Sequence, residues 1–478
     1  MGRAVITFGS QTLLQSLAQE GGILLISCYE LGHQPLSLAS PLAHLREAGF
    51  RPAAIDAAIE PIDGKVVRQA ALIAISVPMH TALRLGVRVA EHARALNPEA
   101  HICFYGLYAV LNAAYLLRSL ADSVIGGEYE PVLVGLAQAL ASSEPLESVP
   151  GLSTAQRLSP PRLTPPDFLS PVRDRLPSVT RYARLERNGV AVPAGYVETT
   201  RGCHHTCAHC PITPVYNGRF VVIPREVVLA DARAQFEAGV RHLTFGDPDF
   251  FNGPGHGMRI LRSLHAEFPD ITFDVTIKIE HLLQHRRLLP ELAELGCAFI
   301  VSAVESLSDR VLAHLKKGHT RADVDEALEI LDAAGIPMRP SLLPFTPWAT
   351  LADYLDLLTW VARNDLQEHV DPVHFSIRLL VPPGSALLQS SDSNSWLQTL
   401  DEASFTYRWV HPDPRMEELH REVAGIAERA SMASPEPRDT FSEIWEVAYR
   451  VAGIPVPPLP APVKRRPRPP RLTEDWFC

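Results

Sequence analysis

Tyr196-Val197-Glu198-Thr199-Thr200-Arg201-Gly202-Cys203-His204-His205-Thr206-Cys207-Ala208-His209-Cys210-Pro211 decides how this chain is read. A short β-rich run, Tyr196 to Thr200, enters a turn at Arg201-Gly202. It delivers three cysteines spaced Cys-x3-Cys-x2-Cys, with no fourth cysteine close by. Glycine tolerates the tight turn that a bulky inorganic group demands of the backbone beside it. Thiolates at this spacing suit iron–sulfur ligation, where each cysteine normally holds one corner of a cubane. Three cysteines leave one iron without a protein ligand, and an open position on a metal is where a substrate is bound and activated. A loop just past a strand end is also where parallel α/β architectures place their ligands.

Zinc is the competing metal. A structural zinc site wants four ligands, usually as two separated pairs. His204, His205 and His209 offer nitrogen, but His204 and His205 follow directly on Cys203, and sequence neighbours rarely reach the same ion. Cys28, Cys103, Cys297 and Cys478 are isolated. A non-catalytic metal-binding module, with structural zinc or a structural cluster, is therefore the rival class.

Outward from the loop, residues 191–385 alternate strand and helix patterns. Strands are expected at His242–Gly246, Thr272–Lys278, Phe299–Val304, Met338–Leu343 and Val373–Leu380. Helices are expected around Arg225–Ala238, Gly257–Glu267, Arg286–Leu295, Ala322–Ala334 and Leu351–Arg363, two of them closed by Gly296 and Gly335. Counting the strand before Cys203, this is a partial (βα)6 barrel. Thr272–Lys278 alternates Phe273, Val275 and Ile277 with Asp274, Thr276 and Lys278, which puts a polar face toward a lumen or an edge. A structural Asp274–Lys278 pair is the expected use of that face.

Residues 1–142 carry compact apolar runs, such as Ile23–Ser27 and Ala71–Ser76, separated by helical stretches, the signature of a doubly wound parallel sheet. Residues 143–190 are rich in proline and serine and read as a linker. Residues 386–478 form a small helical extension, with helices at Met416–Ser431 and Phe441–Val451. A basic, proline-rich tail, Pro457–Arg471, follows and is expected to be extended or mobile. The class is thus α/β throughout.

A chain of 478 residues with 46% hydrophobic content has room for two or three domains. Its net charge of −10 disfavours a nucleic-acid backbone as partner. No signal peptide and no membrane span is evident, and seven largely unpaired cysteines suit a reducing compartment, so a cytoplasmic location is expected.

Thr200-Arg201-Gly202-Cys203 and the three-cysteine loop resemble the cluster loop of the radical S-adenosylmethionine (radical SAM) superfamily. The resemblance implies a 4Fe–4S cluster on Cys203, Cys207 and Cys210, whose free iron is chelated by S-adenosylmethionine. It also implies an electron donor such as flavodoxin or ferredoxin, and a small-molecule substrate. His209 stands where the family usually has an aromatic residue against the adenine; its flat ring can still stack. Gly246 and Asp247, in Phe245-Gly246-Asp247-Pro248-Asp249-Phe250, occupy the place of the family's motif for the methionine amino group. Asp247 reads equally well as a cap on the turn before Pro248.

Ser302-Ala303-Val304-Glu305-Ser306 with Leu315-Lys316-Lys317-Gly318-His319-Thr320 resembles the fourth strand and following helix of cobalamin-type members. That makes Glu305 an expected contact for the ribose hydroxyls or the ammonium. Arg339 is an expected contact for the carboxylate, with an ordinary ion pair as its alternative. The N-terminal sheet resembles a cobalamin-binding module at Ser76-Val77-Pro78-Met79 and Gly126-Gly127-Glu128-Tyr129-Glu130. It lacks the Asp-x-His-x-x-Gly motif, His33 standing in Leu31-Gly32-His33-Gln34-Pro35-Leu36, so cobalamin is left open.

Cys207–Pro211, Pro214–Phe220 and Leu472-Thr473-Glu474-Asp475-Trp476-Phe477-Cys478 resemble the group named for Cys-Cys-Ala-Glu-Pro or Cys-selenocysteine-Ala-Glu-Pro ends. On that resemblance the reading frame is expected to continue past Cys478 through a selenocysteine codon. The expected activity is reductive cleavage of S-adenosylmethionine. The radical then serves methyl transfer or formation of a carbon–heteroatom bond, carbon–arsenic included.

Overall fold

The computed structural model describes residues 17–390, 393–433 and 435–473. Two compact units emerge. One comprises the chain up to Tyr182 with Glu226–Ala234 and Glu402–Phe405; the other comprises Ala183–Arg225, Gln235–Asp401 and the chain from Thr406.

In the first unit, β1 (Ile23–Ser27), β2 (Ala53–Asp56), β3 (Leu72–Ser76), β4 (His101–Tyr105), β5 (Ser123–Ile125) and β6 (Leu152–Thr154) form one sheet in the order β2-β1-β3-β4-β5-β6. All pairings are parallel except β5–β6. The apolar runs are explained by burial on both faces. Leu24, Ile26, Ile73 and Ile75 enter one core, while Ile23, Leu25, Leu72 and Ala74 enter the other. This is the expected doubly wound sheet, with its switch point between β1 and β3. Part of the proline-rich stretch belongs to the fold, since β6 completes this sheet.

The second unit begins with an antiparallel hairpin, β7 (Arg184–Arg187) and β8 (Val190–Val197), continuing into β9 (Thr200–Gly202), which pairs antiparallel with β10 (Phe220–Val222). Then follow β11 (His242–Phe245), β12 (Thr272–Thr276), β13 (Cys297–Glu305) and β14 (Met338–Leu342). The order β14-β13-β12-β11-β8 is parallel throughout, so every carboxyl end points the same way. Helices Arg225–Glu237, Pro254–Glu267, Arg321–Ala334 and Leu351–Arg363 occur where periodicity predicts them. The last two open with capping boxes, Thr320 with Asp323 and Thr350 with Asp353.

The expected sixth strand, Val373–Leu380, is not one. Its amides close local turns, His374 N to Asp371 O and Ser376 N to Val373 O, and only a single bridge joins Arg378 to Phe345. Beyond it, β15 (Leu397–Asp401) pairs with β16 (Thr406–Trp409), and helices Pro414–Ala433 and Pro437–Ala452 follow.

The proline-rich tail is extended and closely pinned. Val463 N donates to Arg363 O at 2.8 Å, and Pro467 O accepts from His369 Nε2 at 3.2 Å. Arg466 pairs with Asp332 at 2.7 Å, and its own amide donates to Asp365 at 2.9 Å. The tail ends as β17 (Arg471–Leu472), antiparallel to β7, with Leu472 against Leu185 and Phe299. Proline's lack of amide donors excludes helix but not this strap, whose carbonyls and arginines make the contacts. Residues 474–478, including Cys478, lie outside the described residues.

Candidate functional site

The cysteine loop hangs from the β9–β10 pair, where Gly202 faces Phe220 across the neck. Gly202 has φ +79°, and a Cβ there would stand 2.4 Å from Tyr216 Cδ1 and 2.7 Å from Arg219 O. The turn therefore requires glycine. Within the loop, Thr213 Oγ1 donates to Cys207 O at 2.8 Å, and Cys210 N donates to Cys207 O at 3.2 Å. Asn252, from the segment after β11, accepts from His204 N at 3.0 Å and approaches Cys203 Sγ at 3.8 Å. Ala208 N donates to Leu315 O at 2.9 Å, tying the loop to the chain that follows helix Asp309–His314.

Cys203 and Cys207 are buried and Cys210 is partly so. Burial pushes the Cys203 thiol up to about 11 and the Cys210 thiol up to about 12, and the neighbouring thiols push the same way. These groups stay protonated unless a cation takes the proton's place. Among the described residues, only His205, Asp249 and His281 bring three metal-binding donors all within 4.8 Å of one another.

Asp247 braces the base of the loop. Its carboxylate accepts from Thr199 N at 2.8 Å, Thr199 Oγ1 at 2.6 Å and Thr200 Oγ1 at 2.6 Å. Burial pushes it up to about 6 in spite of these donors. Gly246 makes room for a tyrosine: a Cβ there would lie 1.8 Å from Tyr196 Oη. These bonds go to Thr199 and Thr200, 48 and 47 positions away, and not to the turn before Pro248 that Asp247 is expected to cap.

Glu305, the last residue of β13, has φ +61°, an uncommon conformation for a side chain with a Cβ. Its Oε1 lies 3.1 Å from Lys317 Nζ and 3.3 Å from His209 Nε2. Burial alone would raise the Glu305 carboxyl, but Lys317 and His209 hold it far below the usual range. Lys317 is raised against its own burial by Glu305, Cys207 and Cys210. The carboxyl end of β13 thus puts a buried ammonium beside two of the thiols.

Arg339 does not join this group. It lies near the start of β14, paired with Asp371 at 2.6 Å, donating to Pro470 O at 3.3 Å and 5.5 Å over the Phe299 ring. That is the ordinary ion pair. The expected Asp274–Lys278 pair is also absent. Asp274 accepts from His242 Nε2 at 2.8 Å and Thr244 Oγ1 at 2.7 Å, while Lys278 pairs with Glu280 at 3.3 Å. β12 ends at Thr276 and Lys278 is the N-cap of the helix that follows, so Asp274 pairs with its neighbours on the adjacent strand. Lys317, Asn252, Asp249 and His281 escaped the sequence reading as site residues, because nothing in their local pattern sets them apart from loop and helix polar groups.

Residues 197–358 match the Radical SAM superfamily. An uncharacterized methyltransferase of Pyrococcus horikoshii is 23% identical over 325 residues, which is 66% of this chain and 69% of that protein. The hopanoid C-3 methylase of Methylococcus capsulatus is 25% identical over 267 residues, 55% of this chain and 50% of the methylase. This chain therefore spans only half the length of the second. In fold, the chain is similar to the cobalamin-dependent S-adenosylmethionine radical enzyme OxsB with aqua-cobalamin bound. The TM-score is 0.69 at 15% identity, covering 90% of this chain and 72% of OxsB. It is also similar to the radical S-adenosylmethionine methyltransferase TsrM of Kitasatospora setae with tryptophan and an S-adenosylmethionine analogue bound. There the TM-score is 0.64 at 15% identity, covering 90% and 89% of the two chains. The α/β class, the sheet unit and the partial barrel are as expected. Among the described residues no helix is long and apolar enough to cross a membrane.

Proposed function

Because residues 197–358 are a radical SAM domain, and the chain an enzyme of that superfamily, we propose that Cys203, Cys207 and Cys210 hold its 4Fe–4S cluster. The open iron falls to S-adenosylmethionine, and the substrate is a small molecule. The observation that carries this is the loop at the end of β9 that brings Cys203, Cys207 and Cys210 together, inside the stretch that matches the superfamily. When bound, such a cluster supplies the single electron that breaks a carbon–sulfur bond of S-adenosylmethionine. The chain's own contribution is preorganised charge and position. Lys317 offsets the negative charge of thiolates at Cys207 and Cys210. Glu305 fixes Lys317 and His209, and these groups line the place where S-adenosylmethionine meets the loop. Asp247 and Asn252 keep the loop in place.

Anaerobic reconstitution tests this. About four iron per chain, a change in the reduced cluster's EPR signal on adding S-adenosylmethionine, and cleavage of that cofactor are expected. Each single Cys→Ala variant should lose most of the iron. Bound zinc without cleavage supports the structural-module alternative and ends the proposal. Flavodoxin or ferredoxin as electron donor is tested by using each in place of a chemical reductant.

Methyl transfer to an unactivated carbon is the outcome that the two methylating relatives favour, with carbon–heteroatom bond formation as its competitor. Product analysis of cleaved S-adenosylmethionine separates the two. We extend the proposal to cobalamin on the fold shared with OxsB and TsrM. Of the two stretches that resemble a cobalamin-binding module, Ser76–Met79 and Gly126–Glu130, the second is closely packed at its glycines: a Cβ on Gly126 would strike Val110 and one on Gly127 would strike Arg162 O. No step is derived through the corrin. Co-purification with hydroxocobalamin is the test. The finer assignment, to the group with Cys-selenocysteine-Ala-Glu-Pro ends, rests on sequence and is decided by the nucleotides after the Cys478 codon.

A further inference from the structure

The carboxyl ends of β11 and β12 carry a second set of metal-type donors that the cluster does not use. Asp249 follows β11. Its Oδ1 accepts from Phe251 N at 3.2 Å, opening a short helical turn and leaving Oδ2 to face two imidazoles. His281 sits in the first turn of helix Ile279–Gln284, after β12. His205 lies between Cys203 and Cys207. His281 Nδ1 is 2.7 Å from Asp249 Oδ2, His205 Nε2 is 3.5 Å from the same oxygen, and the two Nε2 atoms are 3.3 Å apart.

The carboxylate of Asp249 is 0% exposed and His281 is buried. Burying a carboxylate is costly unless a cation or donors compensate. Asp249 Oδ2 and His281 Nδ1 stand 2.7 Å apart without a well-aligned hydrogen bond between them, and against its burial the two imidazoles hold the Asp249 carboxyl below its usual range. A buried carboxylate facing two imidazole nitrogens is a donor set that a shared cation can take up. An imidazole gives one nitrogen to an ion; with one donor atom taken from each residue, the three lie within 4.8 Å of one another, a span that small side-chain adjustments close to the roughly 3.0–3.4 Å expected around an ion with bonds of about 2.1 Å. Glu280 Oε2 faces the other nitrogen of His205 at 3.7 Å, on the side where a metal-bound imidazole gives its remaining N–H to a carboxylate.

We propose that His205, Asp249 and His281 bind one divalent first-row transition ion, of the zinc, cobalt(II) or iron(II) kind, separate from the cluster. Two imidazoles and one carboxylate are an established donor set for such ions. Three protein ligands leave at least one position for water or for a heteroatom of the substrate. The site stands apart from the cysteine reading, because iron and the second metal are counted independently.

The test uses full-length protein reconstituted without oxygen, freed of loose metal on a chelating resin, incubated with zinc chloride and gel-filtered. About one zinc per chain beyond the cluster iron is expected, by mass spectrometric metal analysis. His281→Ala should lower zinc at least tenfold with iron unchanged. Zinc X-ray absorption on the unmutated protein keeps the question open to refutation if that variant folds poorly. A nitrogen and oxygen shell with imidazole scattering is expected. Zinc absent from the unmutated protein, zinc undiminished in a folded His281→Ala variant, or a sulfur shell would each overturn the assignment.

Discussion

Lys317 Nζ and Glu305 Oε1 are 3.1 Å apart, and both side chains are almost fully withdrawn from solvent. One belongs to the chain after helix Asp309–His314; the other ends β13. A buried pair of this kind contributes modestly against a well-packed apolar pair, but breaking it strands a charge. Lys317→Met should cost about 3–5 kcal/mol, read from urea unfolding of the metal-free protein. Adding Glu305→Gln to that variant should recover a large part of the loss. Recovery of stability without recovery of iron content would separate the pair's structural role from its effect on the thiols.

Gly202 offers a sharper test of the loop. Gly202→Ala adds a Cβ against Arg219 O, a backbone atom that cannot swing away, and at a φ of +79°. Overpacking and the left-handed backbone together should cost about 2–4 kcal/mol. Iron retained after gel filtration should fall. Trimming Tyr216 to alanine in the same chain should not restore it, because the backbone clash remains.

The strap makes a prediction about proteolysis. Arg466 holds Asp332 and sits 8% exposed, so Arg466→Ala should release the tail locally. Removing a charged hydrogen bond of about 1.5–3 kcal/mol raises the open fraction roughly tenfold to a hundredfold. Trypsin cleavage at Lys464 or Arg465, followed by intact-mass spectrometry, should speed up accordingly. Unchanged cleavage would show that the strap does not depend on this arginine.

Acid should weaken the first unit through His101. Its ring contacts Ser123 Oγ at 2.8 Å, and burial, only partly offset by Asp122, lowers it from 6.5 to about 4. The unfolded chain therefore binds the proton more readily between those values. The stabilisation is complete above pH 6.5, is lost as pH falls toward 4, and amounts to roughly 3 kcal/mol. His101→Gln keeps a donor for Ser123 and should flatten this part of the pH–stability curve in urea titrations.

Much of the architecture was legible because it is local. Ile23–Ile26 is apolar at every position, and both faces of β1 are buried. Thr320-x-x-Asp323 announces a helix start, and one forms there. The cysteine loop was legible because three thiols at short spacing have few other uses. What escaped depends on distance along the chain. Arg471 meets Glu186 across 285 positions, and no window of sequence reveals such a pairing. Asp274 chose His242 on the adjacent strand over Lys278, and Arg339 chose Asp371. The first choice follows from strand register, which the hydrophobic pattern restricts only to one face; the second depends on where the turn at Pro372–Phe375 begins. Asp249 and His281 read singly as a turn residue and a helix residue; only the parallel alignment of β11 and β12 makes them neighbours.

The pairing of β7 with β17 has a consequence for biosynthesis. Translation runs at about 5–20 residues per second, so the edge of β7 emerges roughly fifteen to sixty seconds before its partner is made. During that interval a row of amides and carbonyls lies open, the feature by which nascent chains snare one another. Ribosome-bound intermediates of this protein should need a chaperone's shelter until Arg471 and Leu472 have been made.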